Sequence, residues 1–124
     1  MSILLDTDVV IEIQRGRDRQ IGAKWASLVA SGAMILYSPV VAAETWAGAR
    51  PHEHLLIQSF FDSLTCLPAD DQTGKLAGDL LRKYARSHSL EIPDALIAVA
   101  AIQHKAALWT RNRKHYPMPQ LTFY

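Results

Sequence analysis

Cysteine is nearly absent: Cys66 is the only one in 124 residues, so no internal disulfide forms and no paired thiols stand ready for zinc. A reducing compartment, the cytoplasm, is the expected setting. Long apolar runs are also missing. The opening Met-Ser-Ile-Leu-Leu meets an acid at Asp6, too early for a signal peptide, and the longest run, Ala95 to Ile102, is far below the ~18 residues that cross a bilayer. No membrane association is expected. Neither a Gly-rich phosphate loop, nor an HExxH pair among the five histidines, nor a Gly-x-Ser-x-Gly elbow occurs, which removes nucleotide-binding, zinc-peptidase and serine-hydrolase readings.

What is present is an ordinary globular composition, 49% apolar and 20% charged, of a size suited to a single domain over residues 1–124. Net charge is only +1, but it is unevenly spread. Residues 82–124 hold seven Lys/Arg against two Asp/Glu, while residues 1–81 hold six against ten. Basic surface beside a group of acids suits a polyanion held next to metal ions. A solvated helix face followed by a basic loop would carry the same charges.

Hydrophobic periodicity predicts alternating strands and helices. Ser2 to Leu5 reads as a strand, stopped by Asp6-Thr7-Asp8, after which Val9, Val10 and Ile13 recur at helical spacing. Residues 18–31 place Ile21, Trp25, Leu28 and Val29 on one helical face, closed by Gly32, and 33–37 reads as a second strand. Ser38-Pro39 is an N-cap followed by proline in the first turn, starting a helix through Glu44 to about Gly48. Further helices are expected over 52–63, over 70–88 with Leu76, Leu80, Leu81 and Tyr84 inward, and over 94–105, which is apolar on nearly all sides. Brief strands are expected over 65–67, 107–110 and 121–123. This alternation implies a three-layer α/β/α sandwich around a four- to five-stranded, mainly parallel sheet.

In such a sheet, sites lie at the carboxyl ends of the strands. Asp6 ends the first strand, and Thr110 and Asn112 follow the strand over 107–110. The helix over 94–105 turns tightly into that strand, so its N-terminus, with Asp94, returns to the same edge. Glu44 lies four residues after Val40 and three after Val41, which predicts a carboxylate on the apolar stripe of its helix, and a buried acid must be paired, metal-bound or protonated. Ordinary explanations exist for each: Asp6, Asp8 and Asp94 suit helix caps, and Glu44 suits an exposed helix surface. Clustered carboxylates repel unless a cation is present. With oxygen donors alone, Mg²⁺ or Mn²⁺ fits best, and phosphodiester hydrolysis by metal-activated water is the usual employment of such a site.

The segments LLDTDVVIEIQRG, VVAAETWAG, PDALIAVAAIQH and WTRNRKHY, in that order, together resemble the PIN domain, in particular the VapC-type toxin ribonucleases of VapBC toxin–antitoxin pairs. The resemblance spans residue 3 to about 116. It implies metal-binding acids at Asp6, Glu44 and Asp94, a fourth catalytic position at Asn112, and supporting polar groups at Thr7, Asp8 and Thr110. It further implies a Mg²⁺- or Mn²⁺-dependent endoribonuclease acting on RNA, a homodimer, and a cognate VapB-type antitoxin. Arg15, Arg111, Arg113 and Lys114 become the expected phosphate contacts. One departure stands out: Asn112 occupies a place where many relatives carry aspartate, and His115 one often held by Asp or Glu. A neutral amide is a weaker metal ligand than a carboxylate. A catalytically weak module that binds antitoxin or RNA is therefore the alternative; a receiver-like signalling domain is disfavoured because Thr110-Arg111 stands where its lysine is needed.

Overall fold

The computed structural model describes all 124 residues. Four strands, β1 (Ser2–Leu5), β2 (Met34–Tyr37), β3 (Thr65–Cys66) and β4 (Ala107–Trp109), form one sheet in the order β3-β2-β1-β4. Every pairing is parallel, with Leu4 opposite Leu36 on one side and Leu108 on the other. Ile3, Leu4 and Leu5 are fully buried, as expected of a central strand covered on both faces, where polar alternation disappears. The expected fifth strand is reduced to a parallel bridge between Leu108 and Phe123, closed by bonds from Leu108 N–H to Thr122 O (2.8 Å) and from Tyr124 N–H to Leu108 O (2.9 Å).

Six helices make the crossovers: α1 (Thr7–Arg15), α2 (Arg19–Ala30), α3 (Pro39–Ala47), α4 (His54–Asp62), α5 (Asp71–His88) and α6 (Ile92–Gln103). Their ends follow local chemistry. Asp18 accepts bonds from the first-turn N–H groups of α2, Ser38 from that of Val40, and Asp70 from that of Thr73. Gly16 ends α1 in the left-handed region at φ 66°, which costs a residue without Cβ nothing. α6 is the most buried helix: Ala95, Ile97, Ala98, Val99, Ala100 and Ala101 are all inside, small residues letting it pack closely on α5 and α3.

Two local expectations are corrected. Val29 points to solvent, at 54% exposure, because Ile21 and Leu28 already define the inner face of α2. In α5 the expected inward face holds: Leu76, Leu80, Leu81 and Tyr84 are partly buried against the core, alongside the fully buried Thr73 and Ala77. The last helix starts at Ile92, one turn position before Pro93, and stops at Gln103, since proline is at home in a first turn.

Strand order places β2 and β4 on opposite sides of β1. Connections therefore diverge between β1 and β4, and the carboxyl ends of those two strands mark the switch point, where ligands of such sheets bind. Asp6 and Thr110 are the residues that immediately follow them.

Candidate active site

Asp6 lies at the centre. Its N–H donates to Trp109 O at 3.0 Å, extending the β1–β4 ladder by one step and fixing the side chain at the switch point. The carboxylate is only 7% exposed. Oδ1 accepts from Thr7 N–H at 2.8 Å; Oδ2 accepts from the Thr110 hydroxyl at 2.8 Å and from the Tyr116 hydroxyl at 2.9 Å. Capping and site formation are thus one arrangement, since Asp6 is also the N-cap of α1. Burial pushes its carboxyl above the usual range against the pull of these three donors, and the nearby Asp94 charge pushes it further.

The other two acids are linked to Asp6 through Tyr116 and Thr7. Tyr116 also approaches Asp94 Oδ1 at 3.5 Å, while Asp94 Oδ2 accepts the Glu91 N–H at 3.2 Å in a capping box. Thr7 donates its hydroxyl to Glu44 Oε1 at 2.7 Å. The elements β1, α1, α3 and α6 therefore bring Asp6, Glu44 and Asp94 to one edge. Glu44 itself is exposed, contrary to the expected burial: Val41 and Thr45 are the inward residues of α3, and Glu44 falls about 100° away from Thr45 around the helix axis. The buried acid is Asp6.

Asp8 lies on the flank. Its Oδ2 accepts the Arg111 N–H at 3.1 Å, and its Oδ1 is buried with no partner. Burial, then the Asp6 charge, raises its pKa to about 6. Arg111 reaches Glu12 at 3.5 Å. Asn112 turns its amide to His115 Nδ1 at 3.1 Å, and its N–H donates to the Thr110 hydroxyl at 3.0 Å; it buttresses Thr110 and makes no bond to an acid. Arg113 covers the Phe123 ring and donates to Tyr124 O. Lys114 is exposed, and Arg15 lines a cleft with Glu44, Thr45 and Gly48 between α1 and α3.

Tyr116 is the residue that sequence reasoning missed. It follows a short turn of helix over Arg113–His115 and is 3% exposed. Its phenol pKa is raised by burial first, then by Asp6 and Asp94, so the hydroxyl keeps its proton and acts as a donor. The only cue in the sequence was a hydroxyl-bearing aromatic at the end of the closing motif.

As the side chains stand, no three His, Cys, Asp or Glu residues are close enough together to hold one ion. The chemistry of the donors nevertheless fits a hard divalent cation. Asp6 forms no ion pair with Lys or Arg, its donors are neutral, burial and then the Asp94 charge raise its pKa, and Asp8 retains an orphaned buried oxygen. Uncompensated buried negative charge of this kind is what a bound cation offsets.

The PIN domain family model matches residues 3–120. Ribonuclease VapC19 of Mycobacterium tuberculosis is 32% identical over 116 residues, covering 93% of this chain and 92% of the relative. Ribonuclease VapC10 of the same organism is 33% identical over 118 residues, covering 94% and 86%. The fold is shared with a DNA-bound VapBC from Salmonella typhimurium at a TM-score of 0.82 and 18% identity, covering 100% of this chain and 97% of that one. The match runs through all four strands and all six helices, from the acid after β1 to the loop that carries Tyr116, and the chain belongs to the PIN domain family.

Proposed function

We propose that the chain is a Mg²⁺- or Mn²⁺-dependent endoribonuclease, the toxin of a type II toxin–antitoxin pair, which hydrolyses RNA phosphodiester bonds at the edge shared by Asp6, Glu44 and Asp94. The observation that carries the reading is Asp6, buried at the switch point without a counter-ion and linked through Tyr116 and Thr7 to the other two acids. Relatives named ribonucleases over nearly the full chain support RNA as the substrate.

Asp6, Glu44 and Asp94 would hold the ion. When bound, it supplies a Lewis acid that neutralises phosphate charge and activates water. Thr110 and Tyr116 keep Asp6 oriented, and Thr7 holds Glu44 toward the same edge. Arg15 and Lys114, free of ion pairs, are the phosphate contacts best placed to act; Arg111 and Arg113 first have to leave Glu12 and Tyr124. A VapB-type antitoxin is the expected partner, as VapBC complexes share this fold, with the protein acting as a cytoplasmic homodimer. The second reading, a module that binds without cutting, draws on Asn112, whose amide is turned to His115.

A cleavage assay separates the two. Purified protein with RNA and Mg²⁺ or Mn²⁺ is expected to cut internally, and to stop cutting with chelator or with Asp94→Asn, whose circular dichroism should remain that of the parent. Cutting that survives both changes defeats the metal mechanism; folded protein that never cuts supports the binding module.

A further inference from the structure

We infer that Tyr116 is a positioning residue for the metal-binding carboxylates: its hydroxyl lies between Asp6 and Asp94 and sets how the two face one another. The inference rests on the metal-dependent reading above and adds to it a residue that is neither an acid nor a ligand. Tyr116 is the only group whose single donor approaches two acids of the site, at 2.9 Å from Asp6 Oδ2 and 3.5 Å from Asp94 Oδ1. The ring is held by the core, at 3% exposure, so its packing decides where the hydroxyl points. The oxygen faces the two acids because the chain has come back to their edge from β4.

The two acids depend on this hydroxyl unequally. Without it, Asp6 keeps the Thr7 N–H and the Thr110 hydroxyl. Asp94 keeps only the 3.2 Å bond from Glu91 N–H, which involves its other oxygen. Asp94 Oδ1 would then have no partner, and repulsion from Asp6 would turn it away. A neutral hydroxyl shared by two like charges offsets part of their repulsion and keeps Asp94 Oδ1 turned toward Asp6. Outer groups that orient metal ligands in this way typically contribute 10–100-fold in affinity or activity.

The test compares wild type with Tyr116→Phe, which preserves the ring, in Mn²⁺ titrations followed by calorimetry and in RNA cleavage as a function of Mn²⁺. The variant is expected to bind Mn²⁺ roughly 10-fold or more weakly, with its cleavage activation curve moved to higher Mn²⁺ and a plateau near that of wild type. A structural role alone would lower the plateau and leave the midpoint in place. Wild-type Mn²⁺ affinity in the folded variant overturns the inference; a wild-type protein that binds no Mn²⁺ overturns the reading beneath it as well. A second measurement needs no substitution: in protein carrying ¹³Cζ-tyrosine, the Tyr116 resonance should move on Mg²⁺ titration while those of Tyr37, Tyr84 and Tyr124 stay. A stationary Tyr116 resonance counts against the inference even if Tyr116→Phe fails to fold.

Discussion

Two neighbouring acids on one turn of chain, Asp6 and Asp8, are both held above their ordinary carboxyl range, and Asp8 reaches about 6. A group whose folded pKa is raised stays protonated in the fold after the unfolded chain has released its proton, so stability falls as pH rises from the unfolded value of 3.8 toward about 6. Above that window the cost is complete. Asn at position 8 carries no such charge. In chelator, the melting temperature of Asp8→Asn relative to wild type is therefore expected to rise between pH 4.5 and pH 7; a difference that stays flat would place the orphaned Oδ1 in water rather than in the fold. At this scale the sequence is informative about placement and less so about environment. Asp6, Asp94 and Thr110 were legible because they follow strands or open a helix. The burial of Asp6 was not, because it depends on Tyr116 and Thr110, 110 and 104 residues away.

At the scale of elements, α3 illustrates what a pattern fixes and what it leaves open. Ser38-Pro39 fixed its start, and Ser38 is 2% exposed with Oγ accepting the Val40 N–H at 3.2 Å. Its rotation is illegible, since Val40, Val41, Ala42 and Ala43 are apolar in succession and do not fix which face turns inward; the spacing points Glu44 inward, and Thr45 takes that place. α6 was read correctly as buried because an all-apolar helix has only one environment available. Ser38→Ala should cost about 1 kcal/mol by loss of the cap, read as a lower urea midpoint with unchanged slope. Because α3 also carries Glu44, half-maximal activation by Mn²⁺ should rise with it; a stability loss without that rise would mean Thr7 alone suffices to place Glu44.

Across the whole molecule, the sheet order creates the switch point, and the acids gathered there carry charge that the fold alone leaves uncompensated. Folding and metal binding therefore pull on Asp6 in opposite directions. In chelator at neutral pH, Asp6→Asn removes a buried charge while keeping an oxygen for the Thr7 N–H, and the hydroxyls of Thr110 and Tyr116 can rotate to accept from its amide. The variant is expected to melt no lower than wild type. With Mn²⁺ the order should reverse, because a ligand at 100 times its Kd stabilises the native state by about 2.7 kcal/mol, on the order of 10 °C for a domain of this size, and the variant forfeits most of that gain. Parallel melting curves with and without Mn²⁺ read both effects at once. Crossing curves are the signature of an acid that destabilises the fold for the sake of the ion. If Asp6→Asn lowers the melting temperature equally in chelator and in Mn²⁺, Asp6 is a helix cap and nothing more.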